Sequence, residues 1–387
     1  MQRIGISPVL VVTIPLRSKN NVGLVADILH SIRRQKRSSI VPSHCANMSS
    51  NTKRLTIEDL GYEPFFESSR QKLKLEGFSI ARVTIEHRGV YKVRNADDEY
   101  SAKITGKQIF NASAREDYPA VGDWVAITEL GAGQAQIHGI LPRKSVLKKR
   151  FGDKDKAGEK NETQVIATNI DEAFIVESVD RDFSLNRFER YFAMANSGGV
   201  KPAIVLNKID LDSKAELDSK LSRLKNRFRD ADIIFTSTRT NEGLNELRAH
   251  TKKGRTYCFL GSSGVGKSSL INRLLGEEVI KTEDISLSAG RGKHTTTNRE
   301  MYFLGNGGIV IDNPGMREVG VADASVGIDS LFDEITALSS KCKYVDCTHI
   351  REPGCEVLLA LKSGKLDEEK YSNYIRLKKG GRALCND

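Results

Sequence analysis

The chain has 387 residues, of which 39% are hydrophobic and 28% charged. That balance suits a soluble globular protein of two or three domains, and no apolar run approaches the ~20 residues of a membrane helix. The formal net charge of +10 points to a polyanionic partner such as nucleic acid, with a solvated basic surface as the plainer reading.

The first fifty residues are basic, with Asp27 the only carboxylate. Three readings fit: an Arg- and Ser-rich transit peptide, a disordered extension, or residues upstream of a start at Met48. The apolar run Val9 to Ile14 is too short for a secretory signal. Residues 1–74 are read together as a basic extension, disordered in part.

From Phe78 the pattern changes to short alternating segments. Phe78 to Glu86, Val90 to Arg94, Glu99 to Thr105, Asp123 to Glu129 and Ala135 to Leu141 read as five strands separated by turn residues. Five strands in about seventy residues make a small barrel over 75–146; strand count alone fits an OB-fold or an SH3-like barrel. Arg143 to Lys160 then carries eight Lys or Arg against three acids and reads as an exposed, flexible connector, or as a phosphate-contacting arm.

From Glu172 apolar runs alternate with helical stretches. Ala173 to Val176, Pro202 to Leu206, Ile233 to Thr236 and Tyr257 to Leu260 read as buried strands, and Leu185 to Ala195 as a helix. This alternation indicates a parallel sheet covered on both faces, an α/β unit assigned to 147–320.

Asn207-Lys208-Ile209-Asp210 closes the second of these strands. The Asp210 carboxylate can accept both N–H groups on the guanine edge. Adenine presents the wrong pattern there and would leave the acid unpaired. Ser237-Thr238, after the next strand, is placed to add a backbone contact to guanine or to act as a simple cap.

Gly261-Ser262-Ser263-Gly264-Val265-Gly266-Lys267-Ser268 matches G-x-x-x-x-G-K-S between a strand and a helix that includes Ser269. Its glycines let backbone N–H groups turn inward around phosphate oxygens. Lys267 would reach the β- and γ-phosphates, and Ser268 would ligate Mg²⁺. Ser269 is counted with the nucleotide-binding residues. An ordinary GTPase meets its phosphate loop before its base loop. Here the order is reversed, which implies a circular permutation.

Two further segments complete the pattern. Gly290-Arg291-Gly292-Lys293-His294-Thr295-Thr296-Thr297 reads as a first switch, with Thr296 closing onto Mg²⁺ and the γ-phosphate. Asp312-Asn313-Pro314-Gly315 follows the strand Gly308 to Ile311. Asp312 would hold Mg²⁺ through water, and the Gly315 N–H would sense the γ-phosphate. Met316 stands where a glutamine could position the attacking water. The catalytic group must therefore come from elsewhere, and His294 is the nearest polar candidate.

Six cysteines occur, and three of them share a fourteen-residue stretch with a histidine: Cys342-x₄-Cys347-x-His349-x₅-Cys355. Three thiolates and an imidazole form a closed tetrahedral zinc set, structural because no ligand position is left for water. Cys258 reads as core, and Cys45 and Cys385 have no assignment. Residues 321–387 are expected to be an α-helical zinc-binding domain.

With these motifs in place, the chain resembles the ribosome small-subunit-dependent GTPase A family of circularly permuted GTPases. The resemblance covers about residues 75–380. It adds Gly122-Asp123-Trp124 in the barrel and Phe183-Ser184-Leu185-Asn186-Arg187 before the base loop. It implies an OB-fold, a permuted GTPase core and a zinc domain. It also implies GTP hydrolysis to GDP stimulated by the small ribosomal subunit, a role in late maturation of that subunit, rRNA contact, and His294 as the catalytic histidine. Asn313 stands where the family usually has threonine, and Met316 where it often has phenylalanine; the extension to about Met48 lies outside the pattern.

The chain is thus expected to be a cytoplasmic monomer, with organellar targeting by the extension left open. It would use magnesium with GTP and one structural zinc, and have no membrane partner. Two rivals are an RNA-binding module whose nucleotide site is only structural, and a signalling or transport GTPase. The complete nucleotide motifs weigh against the first; the basic charge and the barrel weigh against the second.

Overall fold

Alternating burial along 79–140 builds β1 (Ser79–His87), β2 (Val90–Arg94), β3 (Glu99–Ile104), β4 (Trp124–Gly131) and β5 (Gln134–Ile140). The structure, a computed structural model, describes residues 55–87, 89–106, 112–151, 162–180, 183–277, 279–280, 299–312 and 325–379. β1 pairs antiparallel with both β2 and β4, β3 runs parallel to β5, and the order β1-β2-β3-β5-β4 closes on itself. This five-stranded closure is OB-like and decides between the two barrels that strand count allows. Val83, Val93, Ala102, Val125, Ile127 and Ile137 fill its interior.

Before the barrel, within the stretch expected as extension, lies α1 (Pro64–Lys72). Pro64 opens it, where a missing N–H costs nothing. Phe66 packs against Trp124, with ring centroids 5.9 Å apart. The connector expectation is corrected over 146–151. β6 (Val146–Phe151) pairs antiparallel with β7 (Glu162–Thr168), and residues 152–161 lie outside the described residues. Leu147, Val165, Ile166 and Ala167 are buried there, so apolar positions interleaved with lysines carry a strand that composition alone hides.

Gly122-Asp123-Trp124 forms the seam between barrel and hairpin. Gly122 has φ +99°, and a Cβ there would stand 2.1 Å from the Thr168 carbonyl oxygen. Asp123 is fully buried and accepts Arg143 Nε and Nη2, both at 2.8 Å, and Thr168 Oγ1 at 2.7 Å. Close by, the buried Arg82 guanidinium donates to the carbonyls of Leu60, Gly122 and Asn169 at 2.6, 3.3 and 3.1 Å. Burial lowers its pKa to about 10, so it stays charged at neutral pH. It fastens the barrel, the segment before it and the chain entering the next unit.

That unit contains β8 (Glu172–Ser178), α2 (Leu185–Ser197), β9 (Lys201–Asn207), α3 (Lys214–Arg227), β10 (Ile233–Phe235), α4 (Leu244–His250), β11 (Thr256–Leu260), α5 (Lys267–Leu275), β12 (Arg299–Phe303) and β13 (Ile309–Asp312). The strands β10-β9-β8-β11-β13 are parallel, as the apolar runs predict. β12 pairs antiparallel with β13 on one side and with β1 of the barrel on the other, giving one 11-stranded sheet. Phe188 and Phe192 of α2 and Leu224 of α3 belong to one buried cluster. Leu247 of α4 and Leu270 and Ile271 of α5 belong to another. Sequential crossovers would leave β11 at an edge. It lies instead between β8 and β13, and this topological switch places a crevice at the carboxyl ends of the strands.

The remaining helices are α6 (Ser325–Leu331), α7 (Asp333–Ser339), α8 (Glu356–Lys362) and α9 (Glu368–Lys378). Ile328, Phe332, Ile335, Val357, Tyr374 and Leu377 share a small core with Ala193 of α2. The contact is close: a Cβ on Gly327 would lie 2.1 Å from the Ala193 carbonyl oxygen. Glu189 of α2, 1% exposed, accepts Arg227 Nε at 2.5 Å and also Asn373 Nδ2; Arg227 reaches Asp367 at 2.7 Å. The C-terminal helices thus sit on the helix α2 of the α/β unit.

Candidate functional site

The crevice is bordered by the loops that leave β9, β10 and β11 and by the carboxyl ends of β8 and β13. After β11 the chain turns through three glycines with positive φ: Gly261 at +144°, Gly264 at +85° and Gly266 at +99°. A Cβ on Gly261 would meet the Val176 carbonyl oxygen at 2.1 Å, and one on Gly266 would meet Asn207 Nδ2 at 2.3 Å. Only glycine lets this loop approach its neighbours so closely.

Asn207 is fully buried where β9 ends. Its Nδ2 donates to the Val265 carbonyl at 2.8 Å, and its Oδ1 accepts Thr236 Oγ1 at 3.1 Å. One amide therefore joins the ends of β9 and β10 to the glycine loop, 58 residues away in the chain. Lys267 opens α5 and donates to the Gly261 and Ser262 carbonyls at 2.8 and 2.6 Å. Burial pulls its pKa down to about 8, opposed chiefly by the charge of Asp312. Asp312 is 2% exposed at the end of β13, in register with Phe259 of β11. Ser268 and Ser269 lie half-buried in the first turn of α5. Tyr191 of α2 lies beside Ser262, and burial raises its pKa to about 12, so the phenol stays neutral.

On the other side of the crevice, Ser237 Oγ donates to Asp210 Oδ1 at 2.6 Å. The same oxygen accepts Arg239 N and Thr240 N at 3.2 and 3.1 Å, which leaves its proton for the carboxylate. Lys208 adopts φ +63° and ψ +33°, with Nζ 3.3 Å from Asp180 Oδ2. A separate groove of about 460 Å³ lies between α4 (Leu244, Asn245, Arg248) and α5 (Ser269, Asn272, Arg273), beside the crevice rather than in it.

The structure thus brings together Asn207, Lys208, Asp210, Ser237, the run Gly261 to Ser269 and Asp312. His294, Thr296 and the rest of Gly290 to Thr297 lie outside the described residues, as do Asn313, Gly315 and Met316.

Away from the crevice, Cys342, Cys347, His349 and Cys355 offer four ligand atoms within 4.8 Å of one another. Cys342 Sγ and Cys355 Sγ are 3.8 Å apart, and His349 Nδ1 is 3.6 and 3.5 Å from them. A tetrahedral ion with bonds of about 2.3 Å to sulfur and about 2.0 Å to nitrogen requires edges of about 3.7 and 3.5 Å. Ser339 orients the imidazole. Its Oγ donates to the Ile335 carbonyl at 2.8 Å, so toward His349 Nε2, 3.0 Å away, it can only accept. The proton therefore sits on Nε2, and Nδ1 presents its lone pair to the cluster. Cys355 also caps α8, its sulfur accepting Leu358 N at 3.5 Å. A second acidic group, Glu172, Asp232 and His250, surrounds the Lys201 ammonium, which lies 3.3 Å from Glu172 and 2.6 Å from Asp232; a cation from the chain itself holds that place.

Sequence reading missed Asp180, Tyr191, Thr236 and Ser339. Thr236 ends a recognised strand, and its hydroxyl one residue before Ser237 is a usable signal. The other three carry no motif.

A family model described as RsgA GTPase matches residues 140–322. A small ribosomal subunit biogenesis GTPase RsgA of Opitutus terrae is 39% identical, over 84% of this chain and 89% of the relative. The chain belongs to the RsgA GTPase family. An RsgA of Lactiplantibacillus plantarum is 40% identical over 79% of this chain and 84% of its own. Among solved structures, YjeQ from Thermotoga maritima superposes with a TM-score of 0.57 at 25% identity, covering 79% of this chain and 99% of that one. YloQ, a circularly permuted GTPase, gives 0.55 at 21% identity over 78% and 94%, which supports the fold alone. The reversed loop order is thus the circular permutation of an RsgA GTPase, and the chain is a GTP hydrolase.

Proposed function

We propose that this chain binds the small ribosomal subunit through rRNA and acts in its late maturation, hydrolysing GTP to GDP and phosphate with stimulation by the subunit. The observation that carries the nucleotide reading is the Asn207 amide, which joins base loop and phosphate loop across the permutation. For the subunit, support comes from relatives named small ribosomal subunit biogenesis GTPases, from the OB-like barrel and from the basic charge.

In this reading Gly261 to Ser269 cradle the phosphates, with Lys267 on the β- and γ-oxygens. Asn207, Lys208, Asp210 and Ser237 select guanine, and Gly315 senses the γ-phosphate. Ser268, Thr296 and Asp312 hold Mg²⁺, which neutralises charge developing on the phosphates; the burial of Asp312 opposite Lys267 fits that use. His294 orients the attacking water or takes its proton. Zinc, which would cross-link the C-terminal helices, suits the Cys₃His set. The chain works as a cytoplasmic monomer of three functional parts: the barrel over 75–146, the core over 147–320 and the zinc domain over 321–387.

Lys267 gives this reading a proton signature. With a free-state pKa of about 8, the ammonium is half charged at pH 8, and bound phosphates favour the charged form. Binding of GDP should take up protons near pH 8, and affinity should fall as pH rises above 8. Calorimetry in two buffers of different ionisation enthalpy measures the uptake; zero uptake at pH 8 would remove Lys267 from the phosphates.

Release should follow hydrolysis. With a non-hydrolysable GTP analogue the protein should co-sediment with small subunits, and with GDP it should not. Equal retention in both states would sink the release step.

A further inference from the structure

Asp180 stands outside every recognised motif, yet it meets the one lysine of the base loop. We propose that Asp180 is a positioning residue for guanine binding. It holds the Lys208 ammonium so that the lysine's methylene stem lies as a lid over one face of the base. The inference rests on the reading of Asn207, Lys208 and Asp210 as the base loop.

Both ends of the pair are fixed by the sheet. Lys208 lies between two buried residues, Asn207 and Ile209, in the left-handed backbone region, so the direction in which its side chain leaves is set. Asp180 is held through β8. Its Oδ1 accepts Ser178 Oγ at 2.8 Å, and Ser178 is fully buried opposite Asn207 in the β8–β9 register. Val179 N donates to the Asn207 carbonyl at 3.1 Å, and Phe183 N to the Asp180 carbonyl at 3.0 Å. Lys220 Nζ ties the same turn by donating to the Val179 carbonyl at 2.6 Å. The neighbouring Asp212 pairs with that Lys220; among the described residues Asp180 is the carboxylate paired with Lys208, at 3.3 Å and with both side chains about one-quarter exposed.

What remains free in Lys208 is the rotation of its methylene groups, among the largest side-chain entropies of any residue. An anchor at Nζ removes part of that freedom before the base arrives. The stem then offers a preformed apolar surface with a positive charge at its end, a suitable cover for a π-face. A phosphate chain without a base gains nothing from it.

The test is a double-mutant cycle on the full chain, reading Kd for GDP and for pyrophosphate, with thermal melts as a check on folding. Asp180→Asn should weaken GDP about fivefold, the scale of a partly exposed ion pair, and leave pyrophosphate unchanged. In a Lys208→Ala background the same change should add nothing. Asp180→Glu should recover part of the loss. Unchanged GDP affinity in Asp180→Asn, a loss that persists in Lys208→Ala, or an equal loss for pyrophosphate would each overturn the proposal. A wild-type chain that binds pyrophosphate but does not prefer GDP to ADP would overturn the base-loop reading, and the proposal with it.

Discussion

Stripping metal from Cys342, Cys347, His349 and Cys355 should unfold the C-terminal helices while the α/β unit keeps its sheet. The helices there are short: α6, α7 and α8 span seven residues each, below the length at which an isolated helix holds. Their shared core is small, and a core of that size needs a cross-link. His349 adds strain, since φ +62° on a non-glycine residue costs on the order of 1 kcal/mol or more. Against this, a structural zinc contributes about 10–16 kcal/mol of apparent binding energy at neutral pH. Chelation, or Cys355→Ser, should therefore remove one zinc per chain, abolish one melting transition and lower the helical signal. GDP affinity should stay within about threefold, because no ligand touches the crevice. An unchanged melt after complete metal removal would show that the cluster does not hold the domain together.

The second large effect concerns the base. Asp210 presents two acceptor oxygens, and guanine presents two adjacent N–H donors. Asp210→Asn replaces one acceptor with a donor. The Ser237 hydroxyl, its own acceptor capacity taken by Arg239 N and Thr240 N, still donates, and so holds the amide oxygen where Oδ1 stood. With Asp210 on the guanine edge, the amide N–H₂ would then face the guanine amino group, donor against donor. GDP affinity should fall on the order of a thousandfold, about 4 kcal/mol. Xanthine carries a carbonyl at that position, so XDP should bind the variant better than GDP does. Competition against a fluorescent nucleotide measures both. A variant that binds GDP as before, or loses GDP without gaining XDP, would show that Asp210 does not read the base.

Much of this site is legible in the sequence because its parts are local. Gly261, Gly264 and Gly266 announce a loop that needs positive φ, and Asn207 to Asp210 follow a visible apolar strand. The four residues of the Cys₃His cluster fall within fourteen residues. The barrel strands were readable because their alternation is uninterrupted and turn residues separate them. What stayed hidden depends on partners distant in the chain. Asp180 meets Lys208 across 28 residues, Arg82 meets Asn169 across 87, and Glu189 meets Asn373 across 184. β12 is short and takes its identity from neighbours on both sides, β13 and β1. The β6–β7 hairpin was masked by its lysines, which mimic a linker's composition while Leu147 and Val165 pack inward.

If Asp312 to Gly315 act as the second switch, their closeness in sequence to the Cys342 cluster predicts mechanical coupling through the Val319 to Ser330 connector. Residues 325–330 of that stretch belong to α6, which packs on α2 through the close approach of Gly327 to Ala193. α2 also carries Tyr191, which lies beside Ser262 of the glycine loop. The C-terminal helices and the phosphate loop therefore both neighbour α2. This is a contiguous contact, and two discrete arrangements of α2 would have to be demonstrated before it counts as a relay.

Met316 cannot position water, so the small subunit is expected to switch on hydrolysis in this enzyme. Steady-state phosphate release from GTP, measured with and without purified small ribosomal subunits at equal magnesium, tests it most directly. Slow release by the protein alone and a rise of at least about tenfold with small subunits is the expected result, a change of about 1.4 kcal/mol or more in the barrier. The same rate with and without subunits would contradict it.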